Sequence, residues 1–411
     1  MQKTDFRVDS ASGIATLTLM VALGQMSVGL VIPSLPSLVD YFQTDMGTVQ
    51  LTLTVHFTAF ALFQLLVGPL ADRFGRRPVI LTGLAISVAG AIACALATTI
   101  WTLIGARVLL AIGVCSGGVV SRALIRDRSN GADAARIMSF IGMAMALSPA
   151  LTPTIGGQLQ GHFGWQAPFV FMAAVAGMLA LYCLFRLPET IPQKNFEAMK
   201  LGGMLRTYGT LIVDRRFFGY AALNGCIFGM LFAYQTGSPY ILMVELGYSP
   251  QAYGLLILFN VAGFLTGNII TNRFGHRVGI YNMVRIGGVV GLISGISMFV
   301  PAQLGYVSTV TIIGPSVLLL VALGITVPNS MAGALQHFPH IAGVASALLG
   351  FLQMGTGAVG SFIISSLQNG HPLVMPDLFA VAGVLGVVSM MLIPRPGETK
   401  DRDAAIDLAD P

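Results

Sequence analysis

Twelve runs of about twenty apolar residues follow one another with short polar breaks, and nearly every basic side chain falls in alternate breaks. The runs cover about 14–39, 47–70, 78–97, 102–124, 137–158, 167–186, 217–243, 252–271, 280–299, 305–329, 341–367 and 376–394. A helix needs roughly 20 apolar residues to cross the hydrocarbon of a bilayer. A membrane barrel would instead read as alternating segments of about ten residues, and the sequence has none. Composition agrees: 55% of residues are hydrophobic and 9% charged, against roughly 25% charged in a soluble domain. With 22 basic and 17 acidic residues the surface of a water-soluble globule could not be covered. The apolar excess must face lipid, which excludes a soluble enzyme, a nucleic-acid reader and a disordered chain despite a pI near 9.1.

The basic residues predict an orientation. Lys3 and Arg7; Arg73, Arg76 and Arg77; Arg122, Arg126, Arg128 and Arg136; Arg186, Lys194, Lys200, Arg206, Arg215 and Arg216; Arg273, Arg277 and Arg285; and Arg395, Lys400 and Arg402 share one side. These are 21 of the 22 Lys and Arg residues, and the opposite loops carry none. The positive-inside rule then puts both termini in the cytoplasm. Trp101 and Trp165, the only tryptophans, are expected at the outer interface. The first run follows a polar start with no cleavage pattern, so it reads as a retained helix.

Few residues in the runs carry chemistry. Arg107 is the one base off the cytoplasmic side, about six residues into run 4. A charge there is costly unless it faces a bundle interior or a wet cavity, and a guanidinium that keeps its proton acts as a fixed positive field. His56 is the only histidine inside a run, a residue type suited to a proton switch, although a lone histidine also serves as a packed, neutral hydrogen-bonding group. No Asp or Glu lies clearly within a run; Asp40 and Glu245 stand at outer ends. His56, a peripheral carboxylate such as Asp40, or neither could carry a coupling proton. Gln25, Gln64, Tyr234, Gln235, Asn260, Asn329 and Gln353 are the polar groups that a mildly polar cavity, or interhelical contacts, could use. Twenty methionines and 24 phenylalanines offer adaptable apolar walls. Cys94, Cys115, Cys183 and Cys226 lie in apolar runs with neither disulfide nor metal spacing, so no metal or cofactor is expected. No Gly-x-x-x-x-Gly-Lys-Ser/Thr loop for ATP is present.

The sequence repeats itself. Asp72-Arg73-Phe74-Gly75-Arg76-Arg77 follows run 2, and Asn272-Arg273-Phe274-Gly275-His276-Arg277 follows run 8, an offset of 200. Recurrence at equivalent points of two six-run halves argues for duplication, with a binding site between the halves near the midplane.

The loop from Gly68 to Pro78 resembles the signature loop of the major facilitator superfamily. Arg107 with Gly113 is similar to that family's run-4 motif, with Leu110 and Ala111 in place of its usual Gln and Gly. Ser148-Pro149-Ala150-Leu151-Thr152-Pro153-Thr154-Ile155-Gly156-Gly157 resembles the motif of the antiporter branch, with Ser148 and Thr152 where glycines are usual. Ile32-Pro33-Ser34-Leu35-Pro36, Leu187-Pro188-Glu189-Thr190 and Gly237-Ser238-Pro239-Tyr240 are similar to the twelve-helix drug:proton antiporters of the bicyclomycin and chloramphenicol resistance type. The resemblance implies alternating access and proton-driven export across a bacterial inner membrane. It also implies gating roles for Gly68, Asp72, Arg73, Gly75, Arg76, Asp127, Pro149, Pro153, Gly156 and Gly157: Arg76 pairs with Asp127, and Asp72 locks onto the start of run 11 when the carrier faces outward. Tyr234 and Asn260 stand where the resembled group has similar residues.

The expectation is an all-α membrane protein of twelve transmembrane helices in two pseudo-symmetric six-helix bundles, residues 14–186 and 217–394, with cytoplasmic segments 1–13, 187–216 and 395–411. Substrate contacts are expected from Gln25, Arg107, Tyr234, Gln235, Asn260 and Gln353, and proton coupling from His56, Arg107 and Asp40. The expected partners of this monomer are a small amphipathic molecule, the proton and the bilayer, with no nucleic acid and no catalytic residue. One alternative on the same scaffold is a carrier of a single metabolite such as a siderophore or organic anion, with Arg107 reading a carboxylate. A membrane enzyme or channel is remote, because neither paired nucleophile and base nor clustered metal ligands are present.

Overall fold

The computed structural model describes residues 9–128, 137, 140, 148, 151–191, 201–338, 341–367 and 373–394. Pro149, Arg136, Lys194, Lys200, most of 137–150 and both charged termini lie outside the described residues. Among those described, the chain forms helices and no strand. They are α1 (Ala11–Gly29), α2 (Leu35–Phe42), α3 (Met46–Phe74), α4 (Arg76–Ala95), α5 (Ile100–Arg128), α6 (151–163), α7 (Ala167–Arg186), α8 (Leu201–Val213), α9 (Arg215–Pro239), α10 (Pro250–Val278), α11 (Ile280–Gln303), α12 (Thr309–Leu335), α13 (Ala342–Leu367) and α14 (Val374–Met390). Ten helices among the described residues are long and apolar enough to cross a membrane, and α14 is shorter.

Two packing hubs repeat. In the first half α5 packs against α1, α3 and α4; in the second, α12 packs against α9, α10 and α11. The fourth long helix of each half is thus gripped by the three before it, as a duplicated bundle requires. Between halves the principal contact is α3 against α13. Small residues allow the close approaches: a β-carbon on Gly113 of α5 would fall 2.7 Å from the Gly83 carbonyl of α4.

Proline sets corresponding breaks. The first run is not one helix: α1 stops at Gly29, a 3-10 turn covers Ile32–Ser34 around Pro33, and α2 follows. In the second half α9 ends on Pro239 and continues as a π-helical turn, Tyr240–Glu245. Each proline removes a backbone donor from a ladder that would otherwise continue.

Three expectations change. The second copy of the repeated loop is not a turn at Gly275; α10 runs on to Val278, and the chain turns at Gly279 (φ 78°), whereas the first copy turns at Gly75 (φ 110°). Pro78 follows the first copy and fits a helix's first turn, so the ladder must break upstream; Val278 at the second imposes no break. Trp165 is buried, 5.0 Å from Tyr41 and 5.5 Å from Phe42 by ring centroids, rather than facing headgroups, while Trp101 is exposed. The segment expected as a plain linker contains α8, which buries Leu211 beside Phe217 and leaves Val213 exposed.

Candidate functional site

A stripe on α3 faces the second half at spacings of three and four residues, the period that keeps side chains on one helix face. Gln50 Nε2 donates to the Thr236 carbonyl of α9 at 3.0 Å. One turn on, the Thr54 hydroxyl lies 2.8 Å from Ser361 of α13, and Thr236 donates to Ser361 at 2.9 Å. Phe57 then stacks on Phe232 of α9, centroids 4.0 Å apart and planes within 9°. Gln64 closes the stripe against Gly350 of α13, where a β-carbon would stand 3.3 Å from its Oε1. Beside this seam the Thr154 hydroxyl of α6 donates to the Gly254 carbonyl of α10 at 2.7 Å. The hydroxyl contacts and the α6–α10 crossing all sit toward the helix ends that lack arginine.

Each half holds a buried polar knot tying its first, second and fourth long helices. In the first half, Ser27 of α1, His56 of α3 and Arg107 of α5 are fully buried. His56 Nδ1 lies 3.2 Å from the Arg107 carbonyl, so that nitrogen carries the hydrogen, and His56 Nε2 lies 2.9 Å from Ser27 Oγ. The guanidinium donates from Nη1 to the Ser27 carbonyl and from Nε to the Thr52 carbonyl at 3.4 Å, while Nη2 has no partner among the described residues. Ser27 Oγ also lies 2.7 Å from the Gly24 carbonyl. Its one proton therefore has two claimants. With neutral His56 it bonds to Nε2; with protonated His56 it turns to Gly24 and accepts from Nε2–H. Both states fit without moving a heavy atom.

The second half repeats the plan without charge. Asn260 of α10 donates to the Tyr234 hydroxyl of α9 at 3.3 Å and accepts from Ser316 of α12 at 2.8 Å. The Ser238 and Tyr253 hydroxyls meet at 2.9 Å one turn away.

At the arginine-bearing end, Arg76 joins Asp72 at 2.7 Å and Asp127 at 3.1 Å. Gly75 provides the positive φ that starts α4 with no side-chain cap of its own. Glu189, just past α7, supplies the cap, accepting from the Arg76 and Arg77 backbone N–H groups at 3.0 and 3.3 Å. A carboxylate at a helix start meets free donors and the positive dipole end. A β-carbon on Gly75 would press into that carboxylate. Arg73 lies over the Phe74 ring at 5.4 Å.

The sequence-expected residues therefore separate. Gln25, Gln235 and Gln353 are half-buried, whereas Tyr234 and Asn260 are buried in the second knot. Arg107 belongs with His56, but as a packed bundle residue: at 0% exposure it offers no surface for a substrate. Asp40 is exposed on α2, where its carbonyl accepts from Gln43, and it does not join His56. Among the described residues Asp72 pairs with Arg76 of its own half. Gly157 lies against Pro250 of α10 and Pro153 against Gly254, so these two form the α6 side of the crossing, while Gly156 packs against the Leu30 backbone within the first half. Gly68 is half-buried and has open space where a β-carbon would sit. Ser27, Gln50, Thr54, Thr236 and Ser361 were not among the expected residues. The 50–54–57–61–64 spacing on α3 was the available signal for the seam.

Paired helical halves meeting in a buried seam, each tied by an internal polar knot, define a membrane carrier. The profile of the Major Facilitator Superfamily matches residues 17–361, and the chain belongs to that family of transporters. It is 28% identical over 357 residues to Multidrug resistance protein D of Escherichia coli (strain K12), covering 86% of this chain and 89% of that protein. It is 26% identical over 384 residues to the Bicyclomycin resistance protein homolog of Haemophilus influenzae, covering 92% and 94%. Its fold matches the crystal structure of a bacterial homolog of the human lysosomal transporter Spinster, inward-facing and occupied, with a TM-score of 0.68 at 16% identity over 94% and 95% of the two chains.

Proposed function

We propose that this secondary transporter exports small amphipathic, drug-like molecules across a bacterial inner membrane in exchange for protons. Both termini are cytoplasmic, residues 14–186 and 217–394 are the two moving bodies, 187–216 joins them, and a monomer suffices. The observation that carries the reading is the closed seam at the arginine-free ends, with Thr54, Thr236, Ser361 and the Phe57–Phe232 stack between halves. The two ion pairs of Arg76, to Asp72 and Asp127, meanwhile lie inside the first half. That combination is the geometry of a carrier shut on its outer side. Outward opening exchanges the seam for contacts at the other end, where Asp72 leaves Arg76 for the start of α13. The named resistance relatives support drug export, and the apolar spans together with the bacterial source of those relatives support the location.

Coupling runs through His56. Its two protonation states fit the same heavy-atom frame because the Ser27 hydroxyl turns between Gly24 and the imidazole. A transporter whose Asp and Glu residues stand at the ends of its spans or outside them thereby keeps a titratable group within a span. The test is transport in inverted vesicles under an imposed pH gradient, comparing the protein with His56→Gln. Gradient-dependent export by the wild type and its loss in the variant are expected; export indifferent to the gradient in both overturns the coupling.

A further inference from the structure

We infer that α8 is an interfacial helix whose outer face binds anionic phospholipid headgroups, giving the second half its own anchor to a negatively charged membrane surface. The helix does not run on into α9. Asp214 alone separates Val213 from Arg215, in an extended conformation, and its Oδ1 accepts from the Arg216 and Phe217 N–H groups. The chain therefore turns at the boundary of the span that begins at Arg215, and α8 packs against both α9 and α13. One face of α8 holds it there: Tyr208 and Leu211, three residues apart, join a cluster with Phe217 of α9, Tyr281 of α11 and Leu349 of α13. The other face is exposed. Arg206, Thr210 and Val213 follow one another there at spacings of four and three, with Val213 82% exposed, and Ile212 and Phe218 are exposed beside them.

That surface is apolar and basic together. Arg215 is exposed next to Val213, and Arg285, over the Tyr281 ring at 5.6 Å, brings a third exposed guanidinium to the rim of the same cluster. Asp214 is the one carboxylate among the described residues at this end of the second half. The first half is built otherwise: there Arg76 meets Asp72 and Asp127, whereas the repeated loop has Asn272 in place of the acid. Water suits the arginines and not Ile212, Val213 and Phe218; hydrocarbon suits the apolar side chains and not the arginines. A headgroup layer accommodates both, and an anionic one supplies the counter-charge, with phosphate matching the guanidinium fork. The acidic residues Glu398, Asp401, Asp403, Asp407 and Asp410 are the competing occupant. Lipid is favoured because the exposed apolar side chains stand where a span ends, and a bilayer is present there in every state of the protein.

The experiment reads the fluorescence of Val213→Trp in full-length protein, reconstituted into vesicles of phosphatidylcholine and phosphatidylglycerol in equal amounts, with the acyl chains of one lipid or the other brominated. The signal of Trp101 and Trp165 is subtracted using protein without the substitution. Thr210→Trp, on the same face of α8, carries the readout if Val213→Trp fails to fold. Brominated phosphatidylglycerol is expected to quench roughly threefold more strongly than brominated phosphatidylcholine. Arg206→Gln combined with Arg285→Gln should reduce that preference, and so should about 1 M salt, where the Debye length is about 3 Å. Equal quenching by the two lipids overturns the inference, as does a preference indifferent to both the substitutions and the salt. Absence of quenching by either lipid places α8 off the membrane and overturns it too. A preference that emerges only after residues 396–411 are removed assigns the surface to that segment instead of lipid.

Discussion

The two polar knots occupy equivalent places and differ in kind. Ser27, His56 and Arg107 join α1, α3 and α5 through a guanidinium and an imidazole; Tyr234, Asn260 and Ser316 join α9, α10 and α12 through neutral groups alone. Both satisfy the same structural need, anchoring the central helix of a half to its neighbours where water cannot serve. The first contains an imidazole, which titrates in the physiological range in water, and the second contains no such group. On the proposed coupling, one half would hold the switch and the other a fixed counterpart.

The largest effect is expected at Arg107. Arg107→Met should cut gradient-driven transport by about 100-fold, toward the upper end of coupling free energies between sites. Thermal stability should change by no more than about 1–3 kcal/mol, because relief from burying a charge offsets the hydrogen bonds lost at the Ser27 and Thr52 carbonyls. Loss of stability with transport intact would show Arg107 to be structural and erase the contrast. His56→Gln comes next: accumulation against a gradient falls roughly 30-fold, while downhill exchange of substrate persists. Asn260→Leu tests the other knot and should cost about 1–3 kcal/mol of stability by leaving hydroxyls unpaired, with the pH dependence of transport unchanged. A flattened pH profile in that variant would place coupling in both halves.

Smaller effects belong to the seam and the cap. Thr54→Val should weaken closure by ~0.5–1.5 kcal/mol, one hydrogen bond's net contribution. Spin labels at Thr98→Cys and Tyr306→Cys, both at exposed arginine-free loops, should then report a larger fraction of long distances; an unchanged distribution argues against the seam as gate. Glu189→Gln keeps an acceptor for the Arg76 and Arg77 N–H groups but loses its charge at the start of α4, about 0.3–1 kcal/mol by thermal unfolding.

The spans were readable because a membrane imposes its own length on apolar segments, and Arg107 and His56 stood out because so little else in those segments ionises. Ser27 did not stand out, since a serine in an apolar helix is common and its importance depends on residues 29 and 80 positions away. Glu189 was visible only as part of a family-like string; its partners lie 112 and 113 residues upstream. The repeated loop misled at Gly275, where residue identity recurs but the proline that forces the turn does not. Tyr234 and Asn260 were picked out as polar, yet their burial in a knot rather than on an open wall depends on three helices meeting.

Counting protons taken up or released when substrate binds to purified protein tests the asymmetry most directly. The wild type and Asn260→Leu should exchange the same pH-dependent number, and His56→Gln should exchange none. Equal exchange by His56→Gln and the wild type would contradict the assignment of the switch to the first half.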